Sequence, residues 1–205
     1  MGTRNLIAVH MGGEYKIAQY GQWDGYPEGQ GKDIIDFLAG EGNIERLKSA
    51  LVRCRYMEPE GRDKDFLDEY EKNAPEWSSQ PDNRTPEQKR WFATYISRDL
   101  GAEILDNVAS SDNAEIVLKD SISFAADSLM CEWAYVIDFD VNTLEVFKGF
   151  NKIPLGDEER FKDAIADDDA SKEYLPVCLA AKYDLSCLPT IEQMIADCCP
   201  DDEDD

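Results

Sequence analysis

A chain of 205 residues has room for one large domain or two small ones, and 42% hydrophobic residues with 10% aromatics let it bury a core. Its 44 acidic side chains against 21 basic ones leave a net charge of −23, a field that repels nucleic acid and anionic membranes and suits basic partners or plain solubility. No apolar run approaches the ~18 residues of a membrane span, and Met1–His10 lacks the apolar stretch and cleavage site of a secretory signal, so a cytoplasmic location is expected.

The charge is uneven. Residues 1–102 hold 14 basic and 18 acidic groups, and residues 103–205 hold 7 and 26. The clusters at Asp167–Asp169 and Asp201–Asp205 lack the alternating ligands and central glycine of a calcium loop. The six cysteines, at 54, 131, 178, 187, 198 and 199, form no CxxC pair, and the one histidine is His10. No metal and no cofactor is therefore expected, and the thiols read as reduced.

In chain order, residues 4–11 and 14–20 are apolar-rich runs separated by Gly12-Gly13, a hairpin signal. A loop with three large aromatics follows, Tyr20-Gly21-Gln22-Trp23-Asp24-Gly25-Tyr26-Pro27-Glu28-Gly29-Gln30-Gly31. A short helix over Asp33–Ala39 turns Ile34, Ile35 and Leu38 inward. Asn43 can cap a second helix with Ile44, Leu47, Leu51 and Cys54 at helical spacing. Residues 57–84 form a polar excursion with one helix near Lys64–Lys72. Thr85-Pro86-Glu87-Gln88 reads as a capping box with Pro in the first turn. The stripe Phe92, Ile96, Leu100, Ile104 and Val108 follows it on one helix that Gly101 weakens.

Residues 115–150 read as strands, the clearest pair being Trp133–Asp140 and Leu144–Phe150. Phe161 and Ile165 mark a short acidic helix. Val177, Leu179, Ala181 and Tyr183 alternate as a further strand, and Pro189 opens a last helix with Ile191, Ile195 and Cys198 on one side. The tail from 200 to 205 is expected to be disordered. Strands in antiparallel-looking pairs predict an α+β fold, an antiparallel sheet with covering helices in a single domain over residues 1–199.

The aromatic loop is the expected site. Trp23 and Tyr26 can stack on a planar ligand or grip a partner side chain. Gln22 and Gln30 can donate and accept, Asp24 can accept, and Arg4 at the start of the first strand supplies positive charge. The structural alternative is a tight turn at Gly25-Tyr26-Pro27 with both rings buried as a plug. Gly29-Gln30-Gly31 stepping into a helix resembles an anion-binding helix start, without the lysine of a P-loop. Asp138 and Asp140 share a strand face and could bind a metal or move protons, but a solvated sheet face is the favoured reading. His10, in a strand, reads as structural, and no Gly-x-Ser-x-Gly elbow accompanies it.

Thr3-Arg4-Asn5-Leu6, Tyr15 and the run Gln22–Gly31 together resemble a family of uncharacterised phage, bacterial and fungal proteins with an N-terminal Thr-Arg element. Those proteins carry a Trp-Asp-Gly-Tyr-Pro-x-Gly-x-Gly loop after the first hairpin. The resemblance implies a mobile-element setting and strengthens the loop as a site; it implies no particular reaction. The leading expectation is an acidic intracellular binding protein, a phage-encoded inhibitor that occupies a basic, nucleic-acid-binding surface of a host protein. A small-molecule ligand is also compatible with the loop. The alternative is a hydrolase acting on an amide or nucleotide-like substrate through the Gln22–Gln30 loop.

Overall fold

Gly12 and Gly13 sit at φ 69° and 80°, the left-handed backbone that a two-residue hairpin requires. They join β1 (Asn5–Met11) to β2 (Glu14–Gly21), as the sequence predicts. The computed structural model describes residues 2–65, 68, 86, 95–165 and 173–199. Among these, the remaining strands are β3 (Cys54–Tyr56), β4 (Ile116–Leu118), β5 (Trp133–Asp138), β6 (Thr143–Lys148) and β7 (Cys178–Asp184). The helices are α1 (Lys32–Ala39), α2 (Asn43–Leu51), α3 (Glu103–Ala109) and α4 (Ile191–Cys198).

The main sheet runs β2–β1–β5–β6–β7, and β3 and β4 form a small second sheet. This is the expected α+β class with a mostly antiparallel sheet. The exception is the central pair: β1 and β5 are parallel, in register from Asn5↔Trp133 to His10↔Asp138. Hairpin signals report only neighbours in sequence. The β1–β5 pairing closes across more than half the chain, past α1, α2 and α3, and nothing local announces it.

Alternation sorts the sheet residues onto two faces. Ile7, Val9, Ile17, Tyr135, Ile137, Leu144 and Val146 face a core built with Ile34, Leu38, Leu47, Leu51, Ile104, Leu105 and Met194 of the four helices. Leu6, Ala8, Ala134, Val136 and Phe147 face a smaller core closed by Ala125, Phe161 and Val177. β5 is buried along its whole length, as a strand covered on both faces must be.

Several local expectations change. Asn43 does not cap α2: Gly42 at φ 73° precedes the helix, and the Asn43 carboxamide donates instead to Phe37 O at 2.7 Å, tying α2 to the end of α1. Cys54 belongs to β3, not to a helix, because Val52-Arg53 turn the chain before it. The Ile96–Val108 stripe is not one helix. Gly101 adopts φ 51° and helix resumes only at Glu103, yet Leu100, Ile104 and Val108 are all buried. Phe161 is buried from a turn, not a helix, and Ile165 is exposed. In α4, Met194 and Cys198 are the buried pair, and Thr190 Oγ1 caps the helix by accepting from Gln193 N–H. Thr85, Glu87 and Gln88 of the capping box, most of the helix near 64–72, Phe92, Asp167–Asp169 and the tail from 200 lie outside the described residues. No helix among those described is long and apolar enough to cross a membrane.

Candidate functional site

The loop after β2 is a rigid shelf. Gly25 N–H donates to Thr3 O at 3.0 Å, and its carbonyl accepts from the buried Tyr135 hydroxyl at 2.8 Å. Pro27–Gly31 coils as a wide π-type turn that runs directly into α1, the kind of irregularity that recurs at functional sites. The amides of Gly29 and Gly31 donate to Tyr26 O, and that of Gln30 donates to Asp24 O. The expected anion cradle at Gly29-Gln30-Gly31 is therefore absent, since its N–H groups are consumed inside the loop. Gly29 is required there because a Cβ would stand 2.2 Å from the Asp24 carbonyl oxygen.

The predicted site residues separate into scaffold and surface. Gln30 turns inward: its Oε1 accepts from Ala102 N–H at 2.6 Å and its Nε2 donates to Trp23 O at 3.4 Å. Gln22 Oε1 accepts from the Tyr20 hydroxyl at 2.7 Å, and Gln22 N–H donates to Arg98 O. Asp24 is exposed at φ 53°. Trp23 lies over Gly2, its Nε1 donating to Asp99 Oδ1 at 2.8 Å. Neither ring is a buried plug: Trp23 is 47% exposed and Tyr26 49%.

Arg4 and Tyr26 come together. With Gly2, Thr3, Leu129, Met130, Glu132 and Phe150 they line a cavity of about 520 Å³. The Thr-Arg element and the aromatic loop are thus neighbours in space, joined by the Thr3–Gly25 hydrogen bond. Arg4 Nη1 rests on Met130 Sδ at 2.8 Å, and its Nε is 3.8 Å from Glu132 Oε1, which accepts from the Arg4 backbone N–H at 3.2 Å. Across the cavity stands Phe150, 54% exposed and held at φ 56°. A bulky side chain in the left-handed region is strained. Buried Ser128 holds it there: Phe150 N–H donates to Ser128 O at 2.7 Å and Asn151 N–H to Ser128 Oγ at 3.0 Å. Nothing in the sequence marks Met130 or Glu132 as site residues, and the one signal at Phe150 is an aromatic following a glycine at a strand end.

A second polar feature sits at the far end of β1. Each strand of the main sheet sends one polar side chain to it: Tyr15, His10, Asp138, Glu145 and Lys182. The sequence predicts a solvated face around Asp138; instead Asp138 is buried, because the 150–165 segment lays Arg160 across it. The guanidinium donates to Asp138 Oδ2 and, at 2.6 Å, to Glu145 Oε2, while Lys182 Nζ reaches Glu145 Oε1 at 3.0 Å. Burial pushes both carboxyls up. Arg160 outweighs it in each case, with backbone N–H groups helping at Asp138 and Lys182 helping at Glu145, so both lie below the usual carboxylate range. Tyr15 is raised, chiefly by burial. A cavity of about 450 Å³ borders this network.

The chain matches no family model, no curated protein and no solved structure. The functional reading therefore rests on these two sites.

Proposed function

We propose that this is a non-catalytic acidic binding protein whose recognition face is the cavity between Tyr26 and Phe150, with Arg4 in its wall. The observation that carries this reading is Phe150. Its ring packs edge-on against Tyr174 yet stays half-exposed on strained backbone, lining the same cavity as half-exposed Tyr26, where a purely structural residue would be buried or replaced by glycine. Aromatics, Met and Arg are the residue types that anchor protein interfaces. Asp24, Glu28 and Asp99 are exposed around the loop, and together with the −23 charge they favour a basic partner. The sharper form is a phage-encoded inhibitor covering a nucleic-acid-binding surface of a host protein. That form rests on the charge and on the resemblance of the loop. Recognition is favoured over hydrolysis through the Gln22–Gln30 loop, because both carboxamides are already engaged by Tyr20, Ala102 and Trp23.

The test is a pull-down from bacterial lysate at low and high salt with wild type and Tyr26→Ala/Phe150→Ala, the variant first shown folded by circular dichroism. One basic protein retained at low salt, released at high salt and lost by the variant supports the reading. Retention unchanged in the variant contradicts it.

A further inference from the structure

At the opposite end of β1 from the recognition face, three ligand-type side chains converge. His10 is near the end of β1, Asp138 ends β5, and Asp140 sits in the turn beyond it. One atom from each lies within 4.8 Å of the others. His10 Nδ1 is 3.4 Å from Asp138 Oδ2 and 3.2 Å from Asp140 Oδ2. Nδ1 is fully buried, yet it makes a hydrogen bond to neither oxygen. Both oxygens stand at ion-pair distance, and neither contact has the geometry of a hydrogen bond. A buried polar nitrogen left this way is costly, unless something between the three groups satisfies it.

The spacing fits an ion. Ligands about 2.0–2.1 Å from a tetrahedral metal sit about 3.3 Å from one another. The carboxylates are also braced as metal-ligating carboxylates are, by outer hydrogen bonds. Asp140 Oδ1 and Oδ2 accept from the N–H groups of Gly12 and Gly13, each at 2.8 Å. Asp138 Oδ1 accepts from Asp140 N–H at 2.9 Å, and Arg160 holds its Oδ2. The hairpin glycines, the β5–β6 turn and the 150–165 segment thus fix the two carboxylates from three directions.

We propose that His10 Nδ1, Asp138 Oδ2 and Asp140 Oδ2 bind one divalent first-row transition-metal ion. One imidazole nitrogen with two carboxylate oxygens suits zinc or manganese, whereas calcium takes six to eight oxygens. Asp138, Asp140 and Glu145 together offset the charge of the ion and of the Arg160 guanidinium that already holds Asp138 and Glu145. Three protein ligands leave a coordination position open. This inference is independent of the recognition face.

His10 is the one histidine of the chain, so in the full protein labelled with ¹⁵N-histidine the imidazole resonances report this site alone. Addition of Zn²⁺ is expected to move the Nδ1 resonance and to saturate at one equivalent. In parallel, Mn²⁺ binding is followed by electron paramagnetic resonance, because this harder ion avoids the cysteine thiols and the acidic surface binds it only weakly. One Mn²⁺ per chain is expected, weakened at least about tenfold in a His10→Gln variant that keeps the wild-type circular dichroism spectrum. An Nδ1 resonance that stays at its metal-free position in excess Zn²⁺ overturns the proposal. So does Mn²⁺ binding equally tight in His10→Gln.

Discussion

In the proposed recognition face, Phe150 concentrates the tension between folding and binding in one residue. Its backbone is left-handed, which costs an L-residue about 1–2 kcal/mol relative to glycine, and its ring is more than half exposed. Phe150→Gly relieves the strain and removes the ring; Phe150→Ala removes the ring and keeps the strain. Urea unfolding should find the glycine variant more stable than the alanine variant by about 1 kcal/mol, while both lose partner binding. Equal stabilities would mean that the backbone is not strained in solution. The thiols are the other single-residue case. Burial pushes Cys54 and Cys198 up to about 12 and Cys131 higher still, while Cys187 is exposed. A disulfide reagent at pH 8 should therefore label Cys187 quickly, with Cys131 and Cys198 reacting only as the protein opens.

Among the elements, the loop between β2 and α1 holds its shape because the core reaches out to it. The Tyr135 hydroxyl, from the middle of β5, accepts no exposure and donates to Gly25 O. Tyr135→Phe keeps the packing and leaves that carbonyl short of a donor. It should cost about 1–2 kcal/mol in denaturant unfolding, with faster amide exchange through residues 22–31. An unchanged exchange rate would show that the loop is held from elsewhere. Much of this was legible beforehand. Gly12-Gly13, the aromatic loop, the helical spacing of Ile34 and Leu38, and the 133–150 hairpin are all written in local pattern. What was not legible is what distant pairing decides. Thr3 and Gly25 meet only because β1 pairs with β2, and Phe150 lines the same cavity as Tyr26 only because β1 pairs with β5. Asp138 looked like a solvated strand residue because Arg160, the group that covers it, lies 22 positions downstream in a segment with no periodicity.

For the molecule as a whole, the Arg160 network ties the inner strands β5 and β6, and through Lys182 the edge strand β7, to the segment over the second face of the main sheet. Asp138 and Glu145 are held below their ordinary values when folded. They therefore contribute stability that is present above the unfolded carboxyl pKa of about 4 and is lost as pH falls through the folded values. Removing the guanidinium takes away most of what opposes burial. In Arg160→Met both carboxylates stay buried, Asp138 keeps its backbone N–H donors and Glu145 keeps Lys182, and the folded pKa of each rises from its wild-type position. The variant should be about 3–5 kcal/mol less stable than wild type at pH 7, and the gap should narrow as the pH falls toward 4. A gap independent of pH in urea unfolding would mean that Arg160 matters for its packing and not for its charge.

In the proposed function, recognition belongs to the Tyr26–Phe150 face and the charged end of β1 has a separate role. Hydrogen exchange measured on the free protein and on its complex with the captured partner tests that division most directly. Added protection at Gly2–Arg4, Met130–Glu132 and Gly149–Asn151, with little change around His10 and Arg160, is the predicted result. Protection confined to the Arg160 end, or to neither region, would contradict it.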